Sequence, residues 1–292
     1  MITVIIPAHN EESVIERCLS ALVTGAEPGE LEVIVACNGC SDRTAQRARV
    51  FGESAHGVEI TVLELTEASK TAAINAAEHV ASGFPRLYVD ADVVLPLASA
   101  REIAAALERN GHLLASPVAE TDTSSSSKAV KAFYDLWLRL PYNQVMVGTG
   151  VYALSEEGRR RFGEFPPIIA DDGFVRSRFT PAERLAVSDA CVTVTAPRTL
   201  SDLIRVKTRS RLGGYEVARK YPRPDTADPK NPWAIVKSLP WGFGLPIRVM
   251  VYLFVNVIVR FRARRLFSDV AEYRWERDET TRRAAAVTVK DE

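Results

Sequence analysis

The sequence predicts an α/β protein with a mostly parallel sheet that is covered by helices on both faces. Two observations lead to this prediction: short apolar runs alternate with segments of helical periodicity, and polar clusters follow several of the runs. A β-α-β-α order of this kind is typical of parallel strands joined by crossover helices. The chain has 292 residues, of which 47% are hydrophobic and 25% charged, as in an ordinary folded protein.

The first half of the chain supplies four pairs of a strand and a helix. Residues 2–6 (ITVII) are predicted to form the first strand, and Glu11–Thr24 the helix after it, because its apolar residues recur at helical spacing. Asn10 is the expected N-cap of this helix. The other predicted elements of this half are strands at 31–36, 58–65 and 86–92, a helix from Ser41 or Asp42 through Val50, a helix over 69–81 and a helix around Leu97–Arg109.

The second half has a less regular pattern. A short Ser/Thr-rich stretch indicates a loop, and the acidic pair in DDGFVRSRF suits the N-terminus of a helix. The predicted elements, in order, are a loop at 121–127, a helix over Lys128–Leu140, a strand over Val147–Leu154, a helix that opens near Asp171 or Asp172, and a basic helix over Ser201–Lys220.

Polar clusters follow the first, second and fourth predicted strands, at Pro7–Glu11, Cys37–Cys40 and Asp90–Asp92. In open parallel sheets, ligands bind beyond the carboxyl ends of the strands. Asp90 and Asp92 are two positions apart after an apolar strand, so their carboxylates are expected to point the same way. Oxygen ligands of this kind suit Mg²⁺ or Mn²⁺ rather than Zn²⁺. An isolated pair would more often be a solvated turn, but the neighbouring clusters favour a cation site.

These segments together resemble the family 2 glycosyltransferases, which have the GT-A (Rossmann-like) fold. The resemblance covers about residues 1–215, and its motifs occur in the family's order. They are Ile5–Glu12, Val33–Thr44, Ala68–Asn75, Asp90–Asp92, Gly148–Gly150, Ala170–Arg178 and Thr208–Gly214.

The resemblance implies a metal-assisted transferase that moves a sugar, with inversion, from a nucleotide-diphosphate donor to an acceptor hydroxyl. Asp172 would be the general base and Asp171 its supporting acid, while Asp92 and Asp90 would ligate Mn²⁺ or Mg²⁺. Arg211, with Arg209 or Lys207, could supply further charge to the diphosphate. The residues implied to hold the nucleotide-sugar are Pro7, Ala8, Asn10, Glu11, Asn38, Lys70, Asp90 and Arg211.

Three departures from the family pattern affect the expected specificity. Asn38 replaces an acidic residue that would accept from a uracil ring nitrogen, and its amide can both accept and donate. A UDP-sugar is the expected donor, but the base is therefore not fixed. Thr208 and Leu212 replace Gln and Trp residues that are linked to processive synthesis, so a single addition is expected.

Other functions remain as alternatives. A nucleotidyltransferase of similar fold would more often carry a Gly-rich phosphate loop after the first strand, which this sequence lacks. A non-catalytic nucleotide-binding membrane scaffold would have no use for Asp171 and Asp172. A zinc or redox site at Cys37 and Cys40 is disfavoured, because no second C-x-x-C or nearby His completes a ligand set. Cys37 is instead expected to be a small buried residue.

The C-terminal region combines an apolar segment with a basic excess. Between Leu203 and Arg265 there are 14 Lys and Arg residues against three acidic residues, although the whole chain has a net charge of zero. The apolar run Leu245–Val259 has 15 residues, fewer than the roughly 20 that span a bilayer. We therefore expect a helix that lies in an anionic membrane surface. A true span, or packing on the domain or within a homodimer, are the alternatives.

These features define the expected domain organisation. Residues 1–222 would form the GT-A domain, with a nucleotide-sugar half (1–118) and an acceptor half (119–222), followed by a helical membrane-associating region (223–278) and a flexible tail (279–292).

The N-terminus lacks the basic region of a signal peptide, so the cytoplasmic face of the cell membrane is the expected location. A lipid-linked acceptor fits that location, whereas the basic region has too few interleaved aromatics for nucleic acid.

Overall fold

The predicted parallel α/β architecture is confirmed in a computed structural model of the chain. The structure describes residues 1–55, 57–140, 150–222, 242 and 244–267. Its strands are β1 (Ile2–Ala8), β2 (Leu31–Asn38), β3 (Glu59–Leu65), β4 (Arg86–Val89), β5 (Leu114–Asp122), β6 (Val151–Leu154) and β7 (Arg184–Thr195). Its helices are α1 (Ile15–Val23), α2 (Thr44–Ser54), α3 (Lys70–Val80), α4 (Leu97–Asn110), α5 (Lys128–Trp137), α6 (Glu156–Arg159), α7 (Asp171–Ser177), α8 (Leu200–Lys220) and α9 (Leu245–Phe267).

The strands form one sheet in the order β3-β2-β1-β4-β6-β5-β7. Strands β1 to β4 are parallel, β6 is antiparallel to both β4 and β5, and β7 is parallel to β5. Because β1 pairs with both β2 and β4, the carboxyl ends of these three strands lie side by side. The segments that follow them therefore meet at one edge of the sheet, as the sequence predicts.

The sheet separates two hydrophobic clusters, so helices cover both of its faces. Along β1, Val4 and Ile6 face the cluster that contains α1, α2 and α4, while Ile5 faces the cluster that contains α3 and α7. Every residue of β1 and β2 is buried. This explains why the central strands are near-continuous apolar runs instead of alternating patterns.

Asn10 is not the N-cap of the first helix, which corrects the prediction. The helix begins at Ile15, four residues later than expected, and Ile15 N–H donates to the Glu11 carbonyl at 3.0 Å. Asn10 adopts the left-handed conformation (φ 53°), which asparagine tolerates better than most residues. Its side-chain oxygen accepts from the backbone N–H of Ser41 at 2.6 Å. The side chain is therefore used to join two loops and not to cap a helix.

Several other boundaries differ from the predicted ones. Helix α2 begins at Thr44, after the N-cap residue Arg43, and the Asp42 side chain accepts from the Thr44 N–H at 3.0 Å. Strand β6 confirms the predicted strand for residues 151–154, whereas 147–149 lie outside the described residues.

Strands β5 and β7 were not predicted, because polar side chains alternate along their exposed portions and mask the apolar pattern. Strand β5 includes the first two residues of the predicted 121–127 loop and crosses the proposed 118/119 division, which stays a prediction.

Helix α9 packs against α5 and α8 in a separate hydrophobic cluster. Val255 and Val259 of α9 are buried there beside Phe133 and Leu203. Of the helices that the structure describes, none is long and apolar enough to cross a membrane. The proposed region 223–278 is described only at 242 and over 244–267, and the proposed tail lies outside the described residues.

Candidate active site

The loops after β1 and β2 are joined by short hydrogen bonds. The buried Asn38 amide donates to the Ala8 carbonyl at 2.9 Å, and His9 Nδ1 lies 2.6 Å from the Asn38 carbonyl oxygen. The Cys40 sulfur lies 3.5 Å from the same Ala8 carbonyl oxygen and accepts from the Asn10 N–H at 3.4 Å. The two predicted nucleotide-binding segments therefore form one connected unit.

The loop after β2 also contacts the start of α3, and a glycine allows this approach. Gly39 has φ 55°, and a Cβ there would lie 2.8 Å from the Cβ of Ala68. Any side chain would push the two segments apart. The close contact sets the position of Ser69, which caps α3 by accepting from the Ala72 N–H at 3.2 Å. Lys70 is therefore the first residue of a well-capped helix.

Four of the eight residues predicted to hold the nucleotide-sugar are buried. Pro7, Ala8, Glu11 and Asn38 have little exposed surface, and the backbone N–H of Glu11 donates to Thr44 Oγ1 at 2.7 Å. These residues shape the loops at the sheet edge. Their direct contact with a nucleotide stays a prediction.

Lys70 joins the two sides of the candidate site. Its ammonium nitrogen lies 2.7 Å from Asp90 Oδ1, after β4, and 2.9 Å from Asp171 Oδ1, at the start of α7. Burial by itself lowers the pKa of Lys70, but the charges of Asp171 and Asp90 outweigh burial and raise the pKa above its ordinary value. Lys70 is therefore a permanent cation between two carboxylates that are 81 positions apart in sequence.

Asp171 is buried and has a second fixed partner. The hydroxyl of Tyr152, on β6, donates to Asp171 Oδ2 at 3.0 Å. Burial and the charge of Asp171 raise the pKa of Tyr152 well above its ordinary value, so the phenol stays protonated and keeps donating. With Lys70 on one oxygen and Tyr152 on the other, Asp171 is held in place. This arrangement suits a carboxylate that supports its neighbour better than one that takes up a proton itself.

Asp172 has a different environment from its neighbour. It is exposed, and its Oδ1 accepts a local hydrogen bond from the Gly173 N–H at 2.7 Å. Desolvation by the surrounding protein and the charge of Asp171 raise the pKa of Asp172, although Lys70 opposes the shift. A carboxylate with a raised pKa is a stronger base. Asp172 therefore combines solvent access with greater basicity.

Asp90 and Asp92 both follow β4, and their binding of a cation stays a prediction. The Asp90 N–H donates to the Gly150 carbonyl at 2.8 Å, and a Cβ on Gly150 would lie 2.7 Å from Val93 and 3.3 Å from Asp90 Oδ2. No group of three or more His, Cys, Asp or Glu side chains in the described residues could hold a metal ion. Two carboxylates suffice for Mg²⁺ and similar cations, which complete their coordination with water and phosphate oxygens.

A buried charged cluster lies beneath Tyr152. The ring of Tyr88 stacks on Tyr152 with centroids 4.7 Å apart, and its hydroxyl donates to Glu78 at 2.6 Å. Glu78 also pairs with Arg86 and, at 2.6 Å, with Arg159. These side chains are almost fully enclosed, so the cluster fixes α3 against β4 and β6. The same α3 carries Lys70 at its other end.

Helix α8 packs against the loop before α7, but its Arg211 and Lys207 side chains point away from the carboxylates of the site. Glu216 accepts from the Ile169 N–H at 2.9 Å, and a Cβ on Gly213 would lie 2.8 Å from Ala170. In contrast, Arg211 donates to Asn256 of α9 at 3.2 Å. Lys207 lies 3.7 Å from the centre of the Trp137 ring, and burial lowers its pKa to about 7. The structure thus does not bring Arg211 to the carboxylates, and its role with the diphosphate stays a prediction.

Cys37 and Cys40 differ in exposure. Cys37 is buried, as predicted, and Cys40 is half-buried. A hydrogen bond from Cys37 lowers the pKa of Cys40 to about 6, with further help from the Asn10 N–H. The corresponding bond raises the pKa of Cys37 above its ordinary value. All four cysteines are free thiols.

The carboxylates of Asp90 and Asp171 thus share the Lys70 ammonium group at the edge of the sheet where ligands bind in folds of this kind. The family model described as "Glycosyl transferase family 2" matches residues 3–158, more than half of the chain. The chain therefore belongs to glycosyl transferase family 2.

Two curated relatives match part of the chain. Glycosyltransferase AglE of Haloferax volcanii is 34% identical over 92 residues, which are 31% of this chain and 30% of the relative. Probable glycosyltransferase YdaM of Bacillus subtilis is 34% identical over 94 residues, which are 31% of this chain and 22% of the relative. The matches thus span less than a third of each relative's length.

Solved structures share the fold over more of the chain. The mannosyltransferase PcManGT of Pyrobaculum calidifontis, in complex with GDP-Man and Mn²⁺, has a TM-score of 0.61 at 20% identity and covers 94% of this chain and 76% of its own. Glucosyl-3-phosphoglycerate synthase of Mycobacterium tuberculosis, in complex with Mn²⁺, UDP-glucose and glycerol 3-phosphate, has a TM-score of 0.55 at 20% identity, covering 77% and 82%. These similarities confirm the predicted GT-A fold.

Proposed function

We propose that the chain is an inverting glycosyltransferase that moves a hexosyl group from a nucleotide-diphosphate donor to one acceptor hydroxyl. The observation that carries the proposal is the Lys70 junction, which holds Asp90 and Asp171 on one ammonium group at 2.7 and 2.9 Å. Asp90 belongs to the donor side and Asp171 to the acceptor side. Inversion in one step needs a base on the face of the sugar opposite the leaving diphosphate, and the exposed carboxylate of Asp172, next to Asp171 in the sequence, is our candidate for that base.

Asp172 is the proposed general base. The acceptor hydroxyl attacks the anomeric carbon, its proton passes to the Asp172 carboxylate, and the bond to the diphosphate breaks. Because the pKa of Asp172 is raised, the carboxylate binds the proton more strongly than an ordinary aspartate would. Asp171 keeps its hydrogen bond from Tyr152 and its ion pair with Lys70, so it positions α7 and does not take the proton.

The proposed donor is a nucleotide-sugar bound with Mn²⁺ or Mg²⁺ at Asp90 and Asp92. When bound, such a cation stabilises the charge that develops on the leaving diphosphate. Support comes from PcManGT and glucosyl-3-phosphoglycerate synthase, which were solved with Mn²⁺ and with GDP-Man or UDP-glucose. Asn38 donates its N–H to Ala8, which leaves its amide oxygen to accept from a base ring N–H. Uracil and guanine both have one, and a UDP-sugar is the donor we expect.

The proposed acceptor is a lipid-linked hydroxyl at the cytoplasmic face of the membrane, and addition stops after one sugar. The basic α8 and the apolar α9 support this setting, since they lie next to the acceptor side. Thr208, which stands where processive relatives carry Gln, is buried in α8 and donates to the Ile204 carbonyl at 2.7 Å. It therefore offers no side chain to a growing polymer.

The test is donor turnover with a panel of UDP- and GDP-sugars and Mn²⁺, read as nucleoside diphosphate release, with proton NMR of the anomeric centre for any product. Asp172→Asn should lower turnover by about 100-fold or more, and Asp92→Asn should weaken donor binding that depends on Mn²⁺. Asp189→Asn, on the exposed part of β7, is the control and should match the wild type. In wild type the acid limb of the pH–rate profile should lie above the pKa of about 4 of a free aspartate.

Full turnover by both Asp172→Asn and Asp92→Asn would contradict the proposal. A retained anomeric configuration would contradict inversion alone. Release of pyrophosphate from a nucleoside triphosphate and a sugar phosphate would instead identify the nucleotidyltransferase alternative. Binding of a nucleotide-sugar without turnover of any donor would favour the scaffold alternative.

A further inference from the structure

Helix α9 exposes a continuous apolar surface. Six of its large apolar side chains are 52–65% exposed. At 3.6 residues per turn they fall within one arc of about 120° of the helix, which runs for about 21 Å along its axis. The residues of this apolar arc are Ile247, Met250, Leu253, Phe254, Val257 and Phe261.

The apolar arc is not the face that attaches α9 to the domain. That attachment uses Val255 and Val259, which are 1–2% exposed and pack against α5 and α8, and Ala263 on the same side of the helix is also buried. Helix α9 is thus apolar on two sides, which is typical of a helix that is buried on both. The domain covers one side, and a second surface is needed to cover the other.

The charges on α9 select an anionic partner. Its sequence contains five arginines and no acidic residue. Arg260 and Arg264 are exposed and lie beside Leu253 and Val257 on the helical wheel, at the edge of the apolar arc. Arg248, near the other end, already pairs with Asp135 of α5 at 3.4 Å. A strip of apolar side chains with cations along its edge matches the headgroup region of a bilayer that contains anionic lipid.

A second copy of the chain fits this surface less well. A stable dimer usually buries about 800 Å² on each partner, with charged residues depleted at its centre. The apolar arc is only one helix wide and has arginines directly at its edge. An interfacial helix, in contrast, needs an apolar strip that enters the bilayer by about 5–10 Å.

We propose that the apolar arc of α9 binds to the surface of an anionic bilayer with the helix parallel to the membrane, and that Arg260 and Arg264 contact lipid phosphates. This inference deepens the membrane-face part of the proposed function, but it does not depend on the transfer reaction.

The same docking would place the acceptor side of the enzyme near the membrane. Asn256, on α9, receives a hydrogen bond from Arg211 of α8. Through Glu216, α8 holds the backbone of Ile169, two residues before Asp171. The helix that would lie on the lipid therefore packs directly against the helix that supports the catalytic carboxylates. A hydroxyl on a lipid headgroup would approach from that side.

The test is cosedimentation of the full chain with vesicles of phosphatidylcholine alone or with about 30% phosphatidylglycerol. Val257→Glu places a carboxylate in the apolar arc, where the side chain is 65% exposed. Val50→Glu is the matched control, because Val50 is 59% exposed on α2. We expect strong binding only to the anionic vesicles, at least a tenfold loss for Val257→Glu, and no change for Val50→Glu. Arg260→Gln with Arg264→Gln should weaken binding about tenfold or more, since each arginine near an anionic surface contributes about 1 kcal/mol.

Circular dichroism and thermal unfolding of every variant establish that the fold is retained. Equal binding by wild type and Val257→Glu, or no binding of wild type to anionic vesicles, would overturn the proposal. Sedimentation equilibrium tests the alternative that a second copy of the chain covers the apolar arc. A dimer that Val257→Glu abolishes and Val50→Glu preserves would support that alternative. Donor turnover is measured without vesicles, so a failure of the catalytic proposal leaves the binding result unaffected, and the reverse also holds.

Discussion

The loops on the donor side and the junction to the acceptor side are held together by different forces. At the sheet edge, the loops after β1 and β2 are joined by neutral hydrogen bonds, such as those between the Asn38 amide and Ala8 and between the Asn10 amide and Ser41. Charged contacts between these loops, such as the Glu12–Arg43 pair at 3.3 Å, lie farther out at the exposed surface. The junction from β4 to α7 depends on one cation, Lys70, between two carboxylates. Neutral bonds to backbone fix a shape whatever is bound, whereas an ion pair responds to any new charge. We therefore expect a preformed donor loop and a junction that adjusts to metal and diphosphate.

Replacement of the charged Lys70 by a neutral residue should have the largest effect on the free energy of unfolding. Lys70→Met keeps the length of the side chain but leaves the buried Asp171 beside Asp90 without a shared counter-charge. Loss of one partner from a buried ion pair costs about 3–5 kcal/mol, and partial exposure of Asp90 (37% of its side chain) places the expected loss near the lower value. Urea unfolding measures it, with the exposed Lys128→Met as the control. A free energy of unfolding within about 0.5 kcal/mol of wild type would show that the junction is not held by charge.

The charged junction was only partly predictable from the sequence. Asp90 was identified from its position after an apolar strand, and Lys70 and Asp171 were given roles by the family resemblance. Nothing in the sequence indicated that one ammonium group would contact both carboxylates. Tyr152 was missed as a partner of Asp171, because an antiparallel strand inserted beside β4 brings it there. The parallel strands, in contrast, follow from local apolar runs and turn residues, so the donor half of the sheet was predicted almost completely.

Helical spacing indicates the direction in which Arg211 points, while its role with the diphosphate stays a prediction. Lys207 and Arg211 are four residues apart and therefore share a face of α8, and the structure places both towards α5 and α9. Gly213 and Glu216, three apart, share the face that meets Ile169 and Ala170. A sequence motif alone does not give the direction of its side chains.

Loss of the hydrogen bond that the Asn38 amide donates should lower the free energy of unfolding. Asn38→Asp restores the acidic residue usual in the family, yet its carboxylate cannot donate to the Ala8 carbonyl and would be buried beside it. We expect a loss of about 1–3 kcal/mol, the cost of an unsatisfied buried polar group, measured by urea unfolding. Gln46→Glu, an exposed change from amide to acid on α2, controls for the added charge. A variant as stable as wild type would mean that the Asn38 amide is not needed to join the loops.

The smallest expected effect concerns Cys40, and it reports on the loop without unfolding it. Because the pKa of Cys40 is lowered to about 6, its thiolate predominates at neutral pH, whereas a free cysteine ionises near pH 8.5. The rate of alkylation by iodoacetamide should reach half its maximum near pH 6, at one site per chain, which peptide mass spectrometry assigns to Cys40. Cys40→Ser should abolish this reaction and change stability by no more than about 0.5 kcal/mol. A half-maximum near pH 8.5 would show that Cys37 and the Asn10 N–H do not stabilise the thiolate, and that the loop is looser than its hydrogen bonds indicate.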